Sequence, residues 1–259
     1  VRVIFWNVQR SGLDEGGWLE DGLADLIHRN PTPEAIVLCE LSEGYTGGQL
    51  GYAVQGWNWE VVPLSPLGTG GNYLKDTSLR LAAVQPQHGL FTQTLVGRGV
   101  GQSRPSLMLT RHGGGAVEHV AFVHLPAQLG AFSAAVPTAA LTEIAVGLTA
   151  DGHHVGPAGP YDISAVVGDL NVNASNPVDL AAFTLALNAT AFQNFVRARP
   201  FRQTHNSGSE LDWALVAPGV PGPTVDRLDW RRAKPDPDGD FVPGTSAKNS
   251  DHWPILLTW

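Results

Sequence analysis

The chain has 259 residues, 43% of them hydrophobic and 15% charged, with a formal net charge of −8. That length supports one large core of the size layered α/β domains reach, and eight Trp with nine Phe exclude the composition of a disordered chain. The acidic balance excludes a surface that grips nucleic acid throughout, and leaves a local basic cleft making weak, metal-dependent contact with a polyanion.

The chain opens in a strand-like run, Val1-Arg2-Val3-Ile4-Phe5-Trp6, that ends at Asn7. Trp18, Leu19, Leu23, Leu26 and Ile27 follow at helical spacing, and Asn30-Pro31-Thr32-Pro33 stops that helix. The β-rich run Ala35-Ile36-Val37-Leu38-Cys39 ends in Glu40. Cys39, the single cysteine, reads as a small buried hydrophobe and permits no intrachain disulfide. Further strands are expected at 59–62, 79–84, 106–110 and 118–124, with Arg111-His112-Gly113-Gly114-Gly115 as the hairpin turn between the last two. Ala139, Ala140, Ile144 and Leu148 predict a helix, and 151–160 a loop. Residues 163–167 read as a buried strand. Asn176-Pro177 supplies an N-cap and first-turn proline for a helix through about Leu187. Residues 212–216 and 255–258 are the last strands, and 218–246, rich in Pro, Gly and Asp, reads as a long surface loop. Alternating strands and helices mixed with hairpins predict two sheets covered by helices in a single domain, residues 1–259, without a linker. No apolar stretch approaches membrane-spanning length, and no signal peptide is visible.

Polar residues stand at the ends of the apolar strands: Asn7, Glu40, His124, Asp169 with Asn171, and Asp251 with His252. Strand ends are where an α/β scaffold places its chemistry. Mg²⁺ takes oxygen ligands and usually one or two carboxylates, which Glu40 and Asp251 would provide with Asn7 nearby. A general base needs an imidazole held in one tautomer by a carboxylate, and His252 with Asp212 would serve. Arg231-Arg232 reads equally as a solvated pair or as a contact to a nucleic-acid backbone, and His205 carries no assigned role.

Six segments in order resemble the endonuclease/exonuclease/phosphatase superfamily, the family of deoxyribonuclease I. They are Ile4-Phe5-Trp6-Asn7-Val8-Gln9, Ile36-Val37-Leu38-Cys39-Glu40, Val123-His124, Val167-Gly168-Asp169-Leu170-Asn171, Leu211-Asp212-Trp213 and Ser250-Asp251-His252. Ser103-Arg104-Pro105-Ser106, Phe122-Val123-His124-Leu125-Pro126-Ala127 and the stretch from Thr204-His205-Asn206 to Leu211-Asp212-Trp213 resemble the catalytic subunit of cytolethal distending toxins more closely. Asn171-Val172-Asn173 departs from that subunit's usual loop.

The resemblance implies a four-layered α/β sandwich, two mixed sheets packed face to face and flanked by helices. It implies Mg²⁺, with Mn²⁺ or Ca²⁺ as alternatives, on Glu40, Asn7 and Asp251. It implies His252, paired with Asp212, as base towards water and His124 as acid towards the leaving oxygen. Asp169 and Asn171 would hold the phosphate, the transition state or a second metal, Arg104 a phosphate oxygen, and Asp76 would orient the first histidine. The function expected is a metal-dependent phosphodiesterase that cuts DNA with little sequence preference, as a secreted or delivered bacterial toxin or effector with a possible delivery or immunity partner. A phosphoinositide or sphingomyelin phosphoesterase is the first alternative, and a non-catalytic interaction module the second.

Overall fold

A computed structural model describes residues 1–8, 18–30, 33–40, 57–61, 82–86, 91–96, 106–113, 116–128, 132–156, 161–229 and 252–259. Its backbone forms two compact units. The first comprises Val1–Gly89, Thr204–Ser207 and Arg227–Thr258; the second comprises Leu90–Gln203, Gly208–Asp226 and Trp259. Each carries a mixed sheet and helix, so the architecture is α/β.

In the first unit, β1 (Arg2–Asn7), β2 (Ala35–Cys39), β3 (Trp57–Val61), β4 (Ala82–Pro86) and β12 (Ile255–Thr258) run in the order β12-β1-β2-β4-β3. β1 and β2 are parallel, with Asn7 opposite Cys39, while β1 and β12 are antiparallel. Every side chain of β2 is buried, and so are five of the six in β1. That is why both read as unbroken apolar runs and not as alternating patterns. α1 (Trp18–Arg29) buries Leu19, Leu23 and Leu26, four and three residues apart, as its periodicity predicts. His28 and Arg29 stand in its last turn, where cations suit the helix dipole, and Arg29 Nε donates to Asp25 at 2.9 Å.

In the second unit, β5 (Phe91–Val96), β6 (Ser106–Gly113), β7 (Ala116–His124), β8 (Ile163–Asp169), β9 (Val196–Ala198) and β10 (Asp212–Val216) run in the order β5-β6-β7-β8-β10-β9. Among the described strands of this sheet, only β7 and β8 pair in parallel. α2 (Ala135–Ala150) and α3 (Pro177–Asn188) are largely apolar helices. Leu141 and Leu148 of α2 and Phe183 and Leu187 of α3 join Val123, Val166, Trp213 and Leu215 in one core. Phe183 meets Trp213 edge-on with ring centres 5.2 Å apart. α3 is capped as its sequence predicts, with Asn176 Oδ1 accepting from Val178 N at 2.9 Å and Pro177 in the first turn.

Some boundaries differ from expectation. Arg111, His112 and Gly113 continue β6 instead of turning, and 114–115 of the expected turn lie outside the described residues. β4 lies at Ala82–Pro86, three residues later than expected. β5 and β9 were not expected; Phe-Thr-Gln-Thr-Leu-Val breaks strict alternation, and Val196–Ala198 is only three residues long. The long loop expected at 218–246 contains β11 (Thr224–Arg227), with 230–246 outside the described residues.

Candidate functional site

In the first unit, the parallel pairing of β1 and β2 brings Asn7 and Glu40 to the same sheet edge. Asn7 is buried, and its Nδ2 donates to Glu40 Oε1 at 3.3 Å. With the amide nitrogen turned to Glu40, oxygen is what Asn7 can offer a cation. The donor set is therefore a carboxylate and an amide oxygen, the hard ligands that Mg²⁺ takes. Glu40 sits at φ 60°, in the left-handed region. Non-glycine residues held there cluster at functional sites.

His252 belongs to the same unit and is buried. Its carbonyl accepts from the indole Nε1 of fully buried Trp6 at 3.0 Å. Next to it, Trp253 N donates to Thr204 O at 2.8 Å, and His205 and His252 form an isolated antiparallel bridge. The two imidazoles meet edge-on, with centres 4.8 Å apart. His205, given no role from sequence, is thus the ring against which His252 packs. Ser207 N donates to His205 Nδ1 at 3.1 Å, so that nitrogen is the acceptor. The resemblance of the segment from Thr204 was the available signal; a contact between His205 and His252 has no signature in local sequence.

In the second unit, the parallel pair β7 and β8 ends with His124 opposite Asp169, and the antiparallel pair β8 and β10 sets Asp212 opposite Asp169. His124 Nε2 lies 3.6 Å from Asp169 Oδ2. All three side chains are buried, Asp169 at 2% exposure and Asp212 at 0%. Two buried carboxylates beside each other need a countercharge, which an imidazolium or a cation supplies.

Gly168 permits this closeness. Its φ is 155°, and a Cβ there would lie 1.8 Å from the Val123 carbonyl oxygen. Only glycine lets the two strand ends approach so that His124 meets Asp169. Leu125 N then donates to Asp169 O at 2.9 Å, which ties the chain beyond β7 to the end of β8.

Asn171 lies in the left-handed region at φ 49°. Its backbone N–H donates to Asp169 Oδ1 at 2.9 Å and its Nδ2 to Leu125 O at 2.8 Å. The side-chain nitrogen therefore braces the loop, and the oxygen is what Asn171 can present to a cation. The following Asn173 is structural, its Oδ1 accepting from Ser175 N, Ser175 Oγ and Glu210 N. Trp213 Nε1 donates to Val172 O at 3.1 Å. These bonds hold the loop after β8 against the entry to β10, where Asp212 stands. Sequence reading missed Glu210 and Arg199, joined at 3.0 Å in this support. Burial raises the Glu210 carboxyl above its ordinary value, against the opposing pull of Arg199 and a backbone bond from Arg202.

The structure thus joins Asn7 to Glu40, His124 to Asp169, Asp169 to Asp212, and His252 to the unforeseen His205. Asp76, Arg104 and Asp251 lie outside the described residues.

No protein-family model matches the chain, and no curated protein matches it. Solved structures do. A β toxin structure from Staphylococcus aureus is 15% identical with a TM-score of 0.63, over 100% of this chain and 99% of that one. The cytolethal distending toxin of Actinobacillus actinomycetemcomitans is 18% identical with a TM-score of 0.57, over 99% of this chain and 97% of that one. An endonuclease/exonuclease/phosphatase family protein of Bacteroides thetaiotaomicron is 12% identical with a TM-score of 0.59, over 99% of this chain and 96% of that one. At these identities the likeness is one of fold.

Proposed function

Because the chain has the deoxyribonuclease I-like fold of the endonuclease/exonuclease/phosphatase proteins, we propose that it is a divalent-metal-dependent phosphoesterase hydrolase. Its substrate in this reading is DNA, cut at phosphodiesters with little sequence preference, and residues 1–259 act as a single domain. The observation that carries the reading is a coincidence of place and type. Both parallel strand pairs, β1 with β2 and β7 with β8, end in polar groups of the kind metal-assisted hydrolysis needs. The loops that follow hold Glu40 and Asn171 in the left-handed region.

Glu40, Asn7 and Asp251 would hold Mg²⁺, with Mn²⁺ or Ca²⁺ as alternatives. When bound, the ion supplies Lewis-acid polarisation of a phosphoryl oxygen. His252, oriented by Asp212, takes the proton from the attacking water. Its backbone is pinned by Trp6, and its ring rests on His205, which fixes where the base stands. His124 gives a proton to the leaving oxygen, with Asp169 at 3.6 Å as countercharge to its imidazolium. Asp76 is a further orienting group for His124. Asp169 and Asn171 position the phosphate or a second ion, and Arg104 contacts a phosphate oxygen. Each histidine contributes about 10²–10⁴-fold as acid or base. The two toxins named among the structural likenesses support a secreted or delivered bacterial toxin or effector. A delivery or immunity partner belongs to the same reading.

The net charge of −8 favours a second reading, a small phosphoester such as a phosphoinositide or sphingomyelin head group. One experiment separates the two. Supercoiled plasmid is incubated with the protein in Mg²⁺, in EDTA, and with His252→Ala. Nicking that needs both the metal and His252 is the expected result. Intact plasmid with folded, Mg²⁺-loaded protein would overturn the DNA reading and direct the assay to phospholipid head groups.

A further inference from the structure

Arg197, Arg199 and Arg202 place three of the chain's 16 Lys and Arg residues within six positions of an acidic protein. They flank Phe201, which is 76% exposed. The segment begins in β9, at the edge of the second sheet. Phe201 has a φ of 53°, a left-handed conformation that a bulky side chain rarely takes. A large apolar ring in water, on a backbone it disfavours, stays there only because its surroundings hold it.

Those surroundings are built around one buried carboxylate. Arg199 Nη1 bonds Glu210 Oε2 at 3.0 Å and also donates to the Ala174 carbonyl. The Arg202 backbone bonds the same Glu210. The chain is therefore clamped on both sides of Phe201. The Arg199 guanidinium lies over one face of the ring, 4.6 Å from its centre. Glu210 is itself fixed by its backbone N–H to Asn173 Oδ1 at 3.1 Å. Leu170 N to Leu211 O and Ala174 N to Glu210 O, both 2.9 Å, connect this mount to the loop after β8, which carries Asn171, and to the entry of β10, where Asp212 stands.

We infer that Phe201 is a stacking platform for an unpaired base of a nucleic-acid strand, with Arg197 and Arg202 on the adjoining phosphates. One face of the ring is backed by a cation, which rigidifies it; a base stacks on an aromatic face whatever its sequence. Arg197 and Arg202 are both exposed, so a polyanion can reach them. The alternative, insertion of Phe201 into an anionic membrane, would carry the Arg199 guanidinium and its carboxylate towards the apolar layer, a costly transfer. The inference rests on the nucleic-acid reading of the site only in naming the strand as substrate.

The test is fluorescence anisotropy with a labelled single-stranded 12-mer, in EDTA so that no cleavage occurs. A 12-mer of abasic sites is the control with the same phosphates. Phe201→Ala is expected to weaken binding of the base-bearing strand about tenfold and to leave the abasic strand unchanged. Phe201→Trp restores the loss, and Phe201→Gly, which also relieves the backbone, repeats it. Equal binding by wild type and Phe201→Ala, equal weakening on both strands, or no binding by wild type would each overturn the inference. So would Phe201-dependent binding to phosphatidylserine vesicles without Phe201-dependent binding to the strand. The plasmid assay reports separately. Nicking without Phe201-dependent binding sinks the platform alone, and binding without nicking sinks the nuclease alone.

Discussion

The two parallel strand pairs solve the same geometric problem with different chemistry. β1 ends in Asn7 and β2 is followed by Glu40, which keeps partial access to water. β7 and β8 end in His124 and Asp169, both buried and drawn together at a glycine. The wetter end can offer a cation oxygens only and suits a hydrated cation that keeps several waters. The drier end has an imidazole beside a carboxylate and suits proton transfer, where surrounding water would weaken each electrostatic contact. A parallel pair thus delivers two groups to one edge, and burial decides which chemistry they can perform.

The sharpest way to break this contrast is to exchange the functions. Replacing His124 by Ala should lower kcat about 10²–10⁴-fold while the Mg²⁺ concentration for half-maximal rate stays unchanged. Glu40→Gln should do the reverse in kind, raising the Mg²⁺ requirement, with much of kcat recovered at high metal. A metal titration of the two variants checks both. If His124→Ala shifts the metal requirement as Glu40→Gln does, the division of labour is wrong.

A backbone change comes next in size. Gly168→Ala puts a methyl against the Val123 carbonyl, so the β7 and β8 ends must separate, at a cost of about 3 kcal/mol or more in urea unfolding. Gly152→Ala, also at positive φ but with nothing within 4 Å, should cost only about 1 kcal/mol. Similar losses in both would remove the argument from strand approach.

Smaller again is Trp6→Phe, which keeps a ring but deletes the donor to His252 O. A loss of about 1–3 kcal/mol is expected from removing that buried hydrogen bond, with a fall in kcat as the base loosens. The smallest effect is a pH dependence in the second unit. Burial raises the Glu210 carboxyl, so the folded state holds that proton more tightly than the unfolded chain does. Its stabilising contribution is complete below the ordinary carboxyl value and is lost as pH rises through the raised one. Relative to Glu210→Gln, wild type should lose stability as pH rises across that window. Unfolding both proteins in urea at each pH gives the difference.

Much of the scaffold was legible because buried strands are short apolar runs. Residues 212–216 and 255–258 are strands as expected, and the 163–167 strand continues to Asp169. The α3 start was legible because Asn176-Pro177 carries its own mechanism of capping. β5 and β9 were hidden, since one lacks strict alternation and the other owes its place to pairing with β10. Candidate residues were visible as polar ends of apolar runs, but their partners were not. Opposition of Asp169 to both His124 and Asp212 is a property of ladder register, and the His205 contact arises only when distant segments bridge. Sequence shows which residues stop a strand; it does not show which stopping points become neighbours.

The bond from Trp6 to His252 spans 246 residues. During synthesis, β1 waits with one edge open until β12 is made. Until then, the proposed base has neither its indole anchor nor the Thr204–Trp253 tie. A ribosome-bound chain lacking these last segments therefore has an incomplete site, and the order in which the polypeptide emerges sets when the site is assembled.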